Sequence, residues 1–310
     1  MTETSAEPIR KPSSASSWIE AMRPRTLPAS IAGVAAGTGC ACYHHGFRLL
    51  PMLICLLFAL LAQIASNFAN EYYDYKNGLD RKGREGFRRG VTEGDISPGA
   101  MKRATYATLG CAALFGCSLI IWGGWWLVPV GILIALFAIG YSAGPYPLSH
   151  HGLGDVAVVV FFGLVPVIFT DYVQTGTLYL DRTTVCSAIA IGLLTSNILI
   201  VNNYRDRDDD AAVGKRTTVV IFGRKTMGAV YALNYVAAAI LLIFSTSEAA
   251  PAWISTLWVM LSPVGASLWT ALRNRKGHQL NDILKYTAMT LLATSVWLLV
   301  SLAIWPAPVL

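Results

Sequence analysis

Nine apolar runs of about twenty residues each dominate the chain, and a run of that length and composition is best accommodated as an α-helix crossing a bilayer. They occupy 26–46, 50–70, 102–122, 123–141, 154–174, 183–203, 226–245, 251–272 and 283–305. Each can span a hydrocarbon core of about 30 Å. Only 14% of the 310 residues are charged, against about a quarter in soluble proteins. The expected fold is an all-α integral membrane bundle of nine transmembrane helices. Residues 1–20 are polar and Ser-rich and carry no apolar signal segment, so a disordered tail is expected, with an interfacial helix beginning near Trp18. No Pro- or Ser-rich linker interrupts the chain beyond residue 20, which predicts a single transmembrane domain over 21–310.

The basic residues orient the bundle. Of 24 Lys and Arg, only Arg48 and Arg182 fall in connections assigned to the outer side. The other 22 lie near the N-terminus or in the connections after the second, fourth, sixth and eighth runs. This places the N-terminus in the cytoplasm and the C-terminus outside. The net charge of +6 is then a topology signal, and nucleic acid is not an expected partner. The six cysteines all fall within apolar runs without metal-ligand spacing, and the five histidines sit at helix ends or in loops, so a zinc site is not expected.

One acidic feature recurs. Asn67, Asn70, Glu71 and Asp74 close the second run; Asn203, Asp206 and Asp210 close the sixth. Offsets of 0, 3 and 7 put each set on one stripe of its helix. Four crossings separate the two sets, so both are expected at the cytoplasmic face, as in a parallel pseudo-repeat. Helical phase places Asp208 and Asp209 about 120–140° from Asn203, which makes them solvated bystanders. Asp80, beyond a helix stop at Asn77-Gly78, can fold back toward the stripe.

Carboxylates and amide oxygens of this kind suit Mg²⁺, which is usually held by one or two carboxylates together with substrate phosphates. Each stripe is followed by basic residues: Arg81, Lys82 and Arg84 after the first, Lys215 and Arg216 after the second. Acids together with bases fit a metal–diphosphate, with the cations stabilising charge on a departing diphosphate. Arg88, Arg89, Lys102 and Arg103 read as topology determinants. The apolar interior could shelter an isoprenoid tail and an allylic cation from water, with Tyr141, Tyr146, Phe161, Phe162 and Tyr172 as candidate walls.

These motifs resemble the UbiA superfamily of intramembrane prenyltransferases, and within it the branch that prenylates 1,4-dihydroxy-2-naphthoate in menaquinone synthesis. The likeness runs from Met22-Arg-Pro-Arg-Thr-Leu-Pro28 through Asn67–Asp80, Tyr141–Gly144 and Gly152–Asp155 to Asn202–Gly223. It implies nine transmembrane helices around a central cavity. It also implies Mg²⁺ and diphosphate organised by Asn67, Asn70, Glu71, Asp74, Asp80, Asn203, Asp206 and Asp210, with Glu71, Asp74, Asp206 and Asp210 catalytic. Arg23, Arg81, Lys82, Arg84, Arg205, Lys215 and Arg216 would bind the diphosphate, and Tyr141 and Asp155 the acceptor or prenyl group. The implied reaction is ionisation of a polyprenyl diphosphate and attack by the aromatic ring, with loss of CO2 from the naphthoate to give demethylmenaquinone. Glu71 stands where the family most often has Asp, and Arg205 where many members have Lys.

Related acceptors in the same superfamily are 4-hydroxybenzoate, homogentisate, haem and chlorophyll precursors. An ion-coupled transporter is the rival from another class, but such proteins place ionisable groups near the bilayer midplane. Here the middle of every run lacks Asp, Glu, Lys and Arg.

Overall fold

The computed structural model describes residues 14–83 and 86–307. Every apolar run coincides with helix. The main elements are α1 Ser14–Met22, α2 Pro28–Tyr43 and α3 Leu49–Lys76. They continue with α4 Pro98–Gly123, α5 Leu127–Gly140, α6 Gly154–Thr175, α7 Arg182–Ala212, α8 Thr218–Thr246, α9 Ala252–Asn274 and α10 Gly277–Ile304. Seven of them, α3, α4 and α6–α10, are long and apolar enough to cross a membrane among the described residues. Of the other three, α1 is the short helix before the first apolar run, and α2 with 16 residues and α5 with 14 cover only about 24 and 21 Å at 1.5 Å per residue. The polar tail expected over 1–20 is corrected in part. Residues 14–20 belong to α1, because Trp18 packs edge-on against Phe68 at 5.6 Å and gives that short amphipathic helix an apolar seat. Residues 1–13 lie outside the described residues.

Local sequence explains the boundaries. Ser97 accepts a hydrogen bond from Ala100 N–H at 3.2 Å and Pro98 follows it, so α4 starts with a side-chain cap and a residue already fixed at helical φ. Asp181 and Thr217 cap α7 and α8 in the same way. Gly78, at φ 69°, ends α3 in the left-handed conformation that glycine adopts without a steric penalty.

The bundle closes around α2, whose small residues admit helices on several sides. A Cβ on Gly37 would come within 2.5 Å of Val167 O, so α6 lies against bare backbone there. Gly163 and Gly192 bring α6 and α7 equally close. Just before Pro166, which has no N–H to offer, α6 widens into a π turn over Val159–Leu164. Between α7, α8 and α10 the packing is dense and partly polar. Tyr231 bonds Thr287 at 2.7 Å, Asn234 bonds Asn197 at 2.9 Å, and Ser187 bonds Ser245 at 2.7 Å.

At the end remote from the acidic motifs, His44 is held between two carboxylates. Its Nδ1 lies 3.1 Å from Asp171 Oδ2, its Nε2 2.7 Å from Asp181 Oδ2, and its ring stacks on Tyr179 at 3.7 Å. Burial alone would lower the imidazole pKa, but hydrogen bonds to Asp171 and Asp181 outweigh it and raise the value to about 9. A raised folded-state pKa stabilises fully below the ordinary value of about 6.5, and the stabilisation is lost as pH rises through about 9. The melting temperature in detergent is therefore expected to fall between pH 7 and pH 10. His44→Gln should flatten that part of the profile; an unchanged slope would remove His44 as its source.

Candidate active site

The C-terminal ends of α3 and α7 meet at one end of the bundle. They are joined by direct contacts: Lys215 Nζ, from the turn after α7, lies 2.7 Å from Asp74 Oδ2 on α3, and Arg81 after α3 pairs with Asp209 on α7. Asp74 is fully buried, Glu71 is 1% exposed, and Asp206 and Asp210 are buried as well. On α7 the stripe thus faces inward while Asp208 is exposed and pairs with Arg207 and Arg224. Asp209 departs from the solvated role expected of it, because Arg81 holds it.

The first carboxylate cluster is built by the loop after α3. Asp80 does fold back, and its buried carboxylate sits 3.4 Å from Arg89 Nε. Arg89 Nη2 donates to Asn70 Oδ1 at 2.9 Å and lies 3.7 Å from Asp74 Oδ2. Arg23, held at φ 55° just after α1, donates to the same Asn70 oxygen, and Asn70 in turn donates to Ser142 at 2.9 Å. Glu71 accepts from Val91 N–H at 3.0 Å. His150 Nε2 approaches Asp74 Oδ1 at 3.6 Å, beyond hydrogen-bond reach. Buried polar atoms around Asp74 that make no hydrogen bond among the described residues include Asp74 Oδ1, Arg89 Nε and Nη1, and His150 Nε2. Buried polar atoms are rarely left so, and a cluster carrying an acceptor beside a cationic donor calls for a ligand bearing both charges.

The second cluster is built around Arg205. Arg205 grips the neighbouring Asp206 through Nε and Nη2, at 2.7 and 2.9 Å. It also donates to Asn281 on α10 at 2.7 Å and to Asn202 at 3.1 Å. No group of three or more carboxylates, histidines or cysteines stands close enough to hold a metal among the described residues. Asn203 is half-buried on the same stripe.

One helical turn below Asn67, the acidic stripe of α3 continues as Gln63 and Ser66 into an apolar cavity of about 310 Å³. Its walls come from α2 to α6 and include Phe58, Phe137, Phe161, Phe162 and Phe169. Phe137 and Phe161 stack at 3.9 Å. Exposed Ile132 and Val128 also line it, so it reaches the bundle's apolar outer surface.

The model of the UbiA prenyltransferase family matches residues 30–291. The chain belongs to the UbiA prenyltransferase family. It is 37% identical to the 1,4-dihydroxy-2-naphthoate octaprenyltransferase of Haemophilus influenzae over 80% of this chain and 82% of that one. It is 34% identical to the Mycobacterium tuberculosis protein of the same name over 91% and 94%. Its fold matches a UbiA homolog from Archaeoglobus fulgidus bound to GPP and Mg2+, with a TM-score of 0.67, 14% identity and coverage of 93% and 99%. It is a multi-pass membrane protein and a prenyltransferase.

Within this family member, the residues proposed from sequence divide into three groups. Asn70, Glu71, Asp74, Asp80 and Lys215 converge at the first cluster, and Asp206 and Asp210 line the second. Asn67 anchors the chain after α1 through its amide NH2, which donates to Met22 O at 3.0 Å. Arg216 has an exposed side chain and contributes only its N–H, to His150 O at 3.1 Å. Lys82 is exposed, and Arg84 lies outside the described residues. Asp155 ties helices together by accepting from Thr218 at 2.6 Å and Ser196 at 3.3 Å. The Tyr141 hydroxyl packs near Gly154 beside it. Of the aromatic wall, Phe161 and Phe162 line the cavity; Tyr172 donates to Gly123 O, and exposed Tyr146 stacks on His151.

Arg89 and His150 are the site residues that sequence reasoning passed over. Arg89 is 6% exposed, so it is not a solvated loop cation. The available signal was its position, one residue before the short helix Gly90–Glu93 that carries the Glu71 contact. Removing a buried countercharge costs roughly 3–5 kcal/mol, whereas an exposed pair is worth about 1 or less. Arg89→Met should therefore lower the melting temperature of substrate-free protein clearly, and Arg81→Met should barely move it. Equal shifts would mean that Arg89 is not the countercharge of Asp74 and Asp80.

Proposed function

We propose that this prenyltransferase couples a polyprenyl diphosphate to 1,4-dihydroxy-2-naphthoate, with loss of CO2, at a Mg²⁺–diphosphate site between the ends of α3 and α7. The observation that carries this reading is the set of partnerless buried atoms around Asp74, an anionic acceptor and a cationic donor side by side, about two helical turns along α3 from Ser66 at the rim of an apolar cavity. A metal-bound diphosphate satisfies both kinds of atom at once, and a hydrocarbon chain fills the cavity.

The donor set fits Mg²⁺ in kind: all the candidate ligands are hard oxygens, and Asp74 Oδ1 accepts no hydrogen bond. Asp74, Asp80, Glu71, Asp206 and Asp210, with the Asn70 and Asn203 amides nearby, would hold it. When bound it supplies positive charge for the departing diphosphate. Arg89 and Lys215 grip the phosphate oxygens, Arg81 and Arg23 flank them, and these fixed cations favour charge separation at the allylic C–O bond. The cavity orients the tail and keeps water from the allylic cation until the ring carbon bearing the carboxylate attacks; CO2 then leaves and the ring regains aromaticity. The 1,4-dihydroxy-2-naphthoate octaprenyltransferases that match over most of the chain support this acceptor over other aromatic acids.

In the membrane we assign nine crossings, with α2 and α5 crossing despite their length. The turn before α2 carries Arg23, which donates to Asn70 of the acidic motif, while Tyr43 at the other end of α2 adjoins the His44 cluster, which supports a crossing. The excess of basic residues puts the acidic site and the N-terminus in the cytoplasm and the C-terminus outside.

Purified protein given Mg²⁺, a polyprenyl diphosphate and a panel of aromatic acceptors should form demethylmenaquinone by mass and release CO2 only with the naphthoate. Excess EDTA should stop it. Asp206→Asn and Asp210→Asn should each lose about a hundredfold in rate, by analogy with losing a preorganised transition-state contact; Asp208→Asn should lose little. Turnover in EDTA, or product only with another acceptor, overturns the assignment.

A further inference from the structure

The sequence resemblance gives Arg205 a place among the diphosphate ligands, yet its donors are committed elsewhere. The side chain is 1% exposed. Of five guanidinium N–H groups, four point at Asp206, Asn202 and Asn281. Adjacent residues on a helix do not face each other, so Arg205 reaches Asp206 only by curling back on its own backbone. Asn281, at the start of α10, holds it in that posture.

The Arg205–Asp206 pair is also a floor on which another segment rests. A Cβ added to Gly86 would lie 2.9 Å from Arg205 Nη2 and 2.9 Å from Asp206 Oδ2. The loop backbone therefore passes directly over the pair, and a side chain at this position would have to displace the Arg205 or Asp206 head group. The next side chain, Phe87, lies with its ring centroid 5.1 Å from the Arg205 guanidinium carbon and 5.9 Å from that of Arg23, within cation–π range of both. Two residues on, Arg89 reaches Asn70 and Asp74. A continuous series of contacts thus runs from the second acidic helix, through Gly86 and Phe87, to the cation that serves the first.

We infer that Arg205 is a positioning residue: it fixes Asp206 and seats the Gly86–Arg89 segment across the two acidic helix ends, so that it acts on diphosphate through Asp206 and Arg89 and not by direct contact. The kinetic consequence rests on the prenyl-transfer reading above; the structural consequence does not. Arg205→Lys keeps the charge but loses the two-pronged grip and the bonds to Asn202 and Asn281. Gly86→Ala and Phe87→Leu leave Arg205 intact and unseat the segment from the other side.

Limited trypsinolysis of the full chain in detergent, without substrate, reads the seating directly. Wild type should be cut after exposed Lys82 and resist cutting after buried Arg89. All three variants should be cut after Arg89 about tenfold faster, at an unchanged rate after Lys82. In steady-state assays the same three should raise KM for the prenyl diphosphate by about tenfold, a misplacement effect. The inference is overturned if Arg205→Lys alone raises that KM while all three keep the wild-type cleavage pattern, which is the behaviour of a direct ligand. Unseating in all three variants together with a wild type that transfers no prenyl group would leave the positioning role intact and reject the prenyl-transfer reading instead.

Discussion

A carboxylate buried as completely as Asp74 is stable only beside a countercharge, and most of the site's architecture supplies one. Lys215 arrives from the turn after α7 and Arg89 from the loop after α3, so a single carboxyl group joins both acidic motifs. Desolvating an ion costs several kcal/mol even in a relaxed protein interior. The cost is offset here by drawing two basic segments over the helix ends. That same covering leaves Asp74 Oδ1 and Arg89 Nη1 facing each other's surroundings without a hydrogen-bond partner.

The two halves of the chain repeat the motif but not the interior. Helices α2 to α6 enclose an aromatic-lined cavity whose polar contribution comes from a few groups such as Ser30, Gln63 and Thr170. Helices α7, α8 and α10 fill their interior with Tyr231, Tyr235 and hydrogen-bonded Asn and Thr side chains. Between helices in a membrane such bonds are each worth on the order of 1 kcal/mol, so the second half is a rigid backing and the first half carries the space. The His44–Asp171–Asp181 cluster ties the far ends of α2, α6 and α7 together on the side of the bundle opposite the acids.

Apolar length, acidic spacing and caps are local properties, and they were legible in the sequence. The nine helical runs, the Ser97-Pro98 start of α4, the stop at Gly78 and the inward phase of Asp206 and Asp210 all follow from short-range periodicity and from residues that fix backbone dihedrals. The exposure of Asp208 follows from the same phase. The family motifs added the chemistry because they record which side chains occur together, without saying which of them touch.

What tertiary structure decided was the pairing of charges. In sequence Arg89 is one more cation in a basic loop, and Arg205 one more cation beside an aspartate; neither periodicity nor spacing tells a buried guanidinium from a solvated one. Burial of Arg89 depends on the loop folding back over α3, and the commitment of Arg205 depends on Asn281, 76 residues away. The sequence by itself therefore determined which elements form and which faces they turn inward, since those depend on neighbours within a turn or two. Only the folded chain decided which charges meet, because electrostatic partners are chosen by distance in space and by the cost of leaving water.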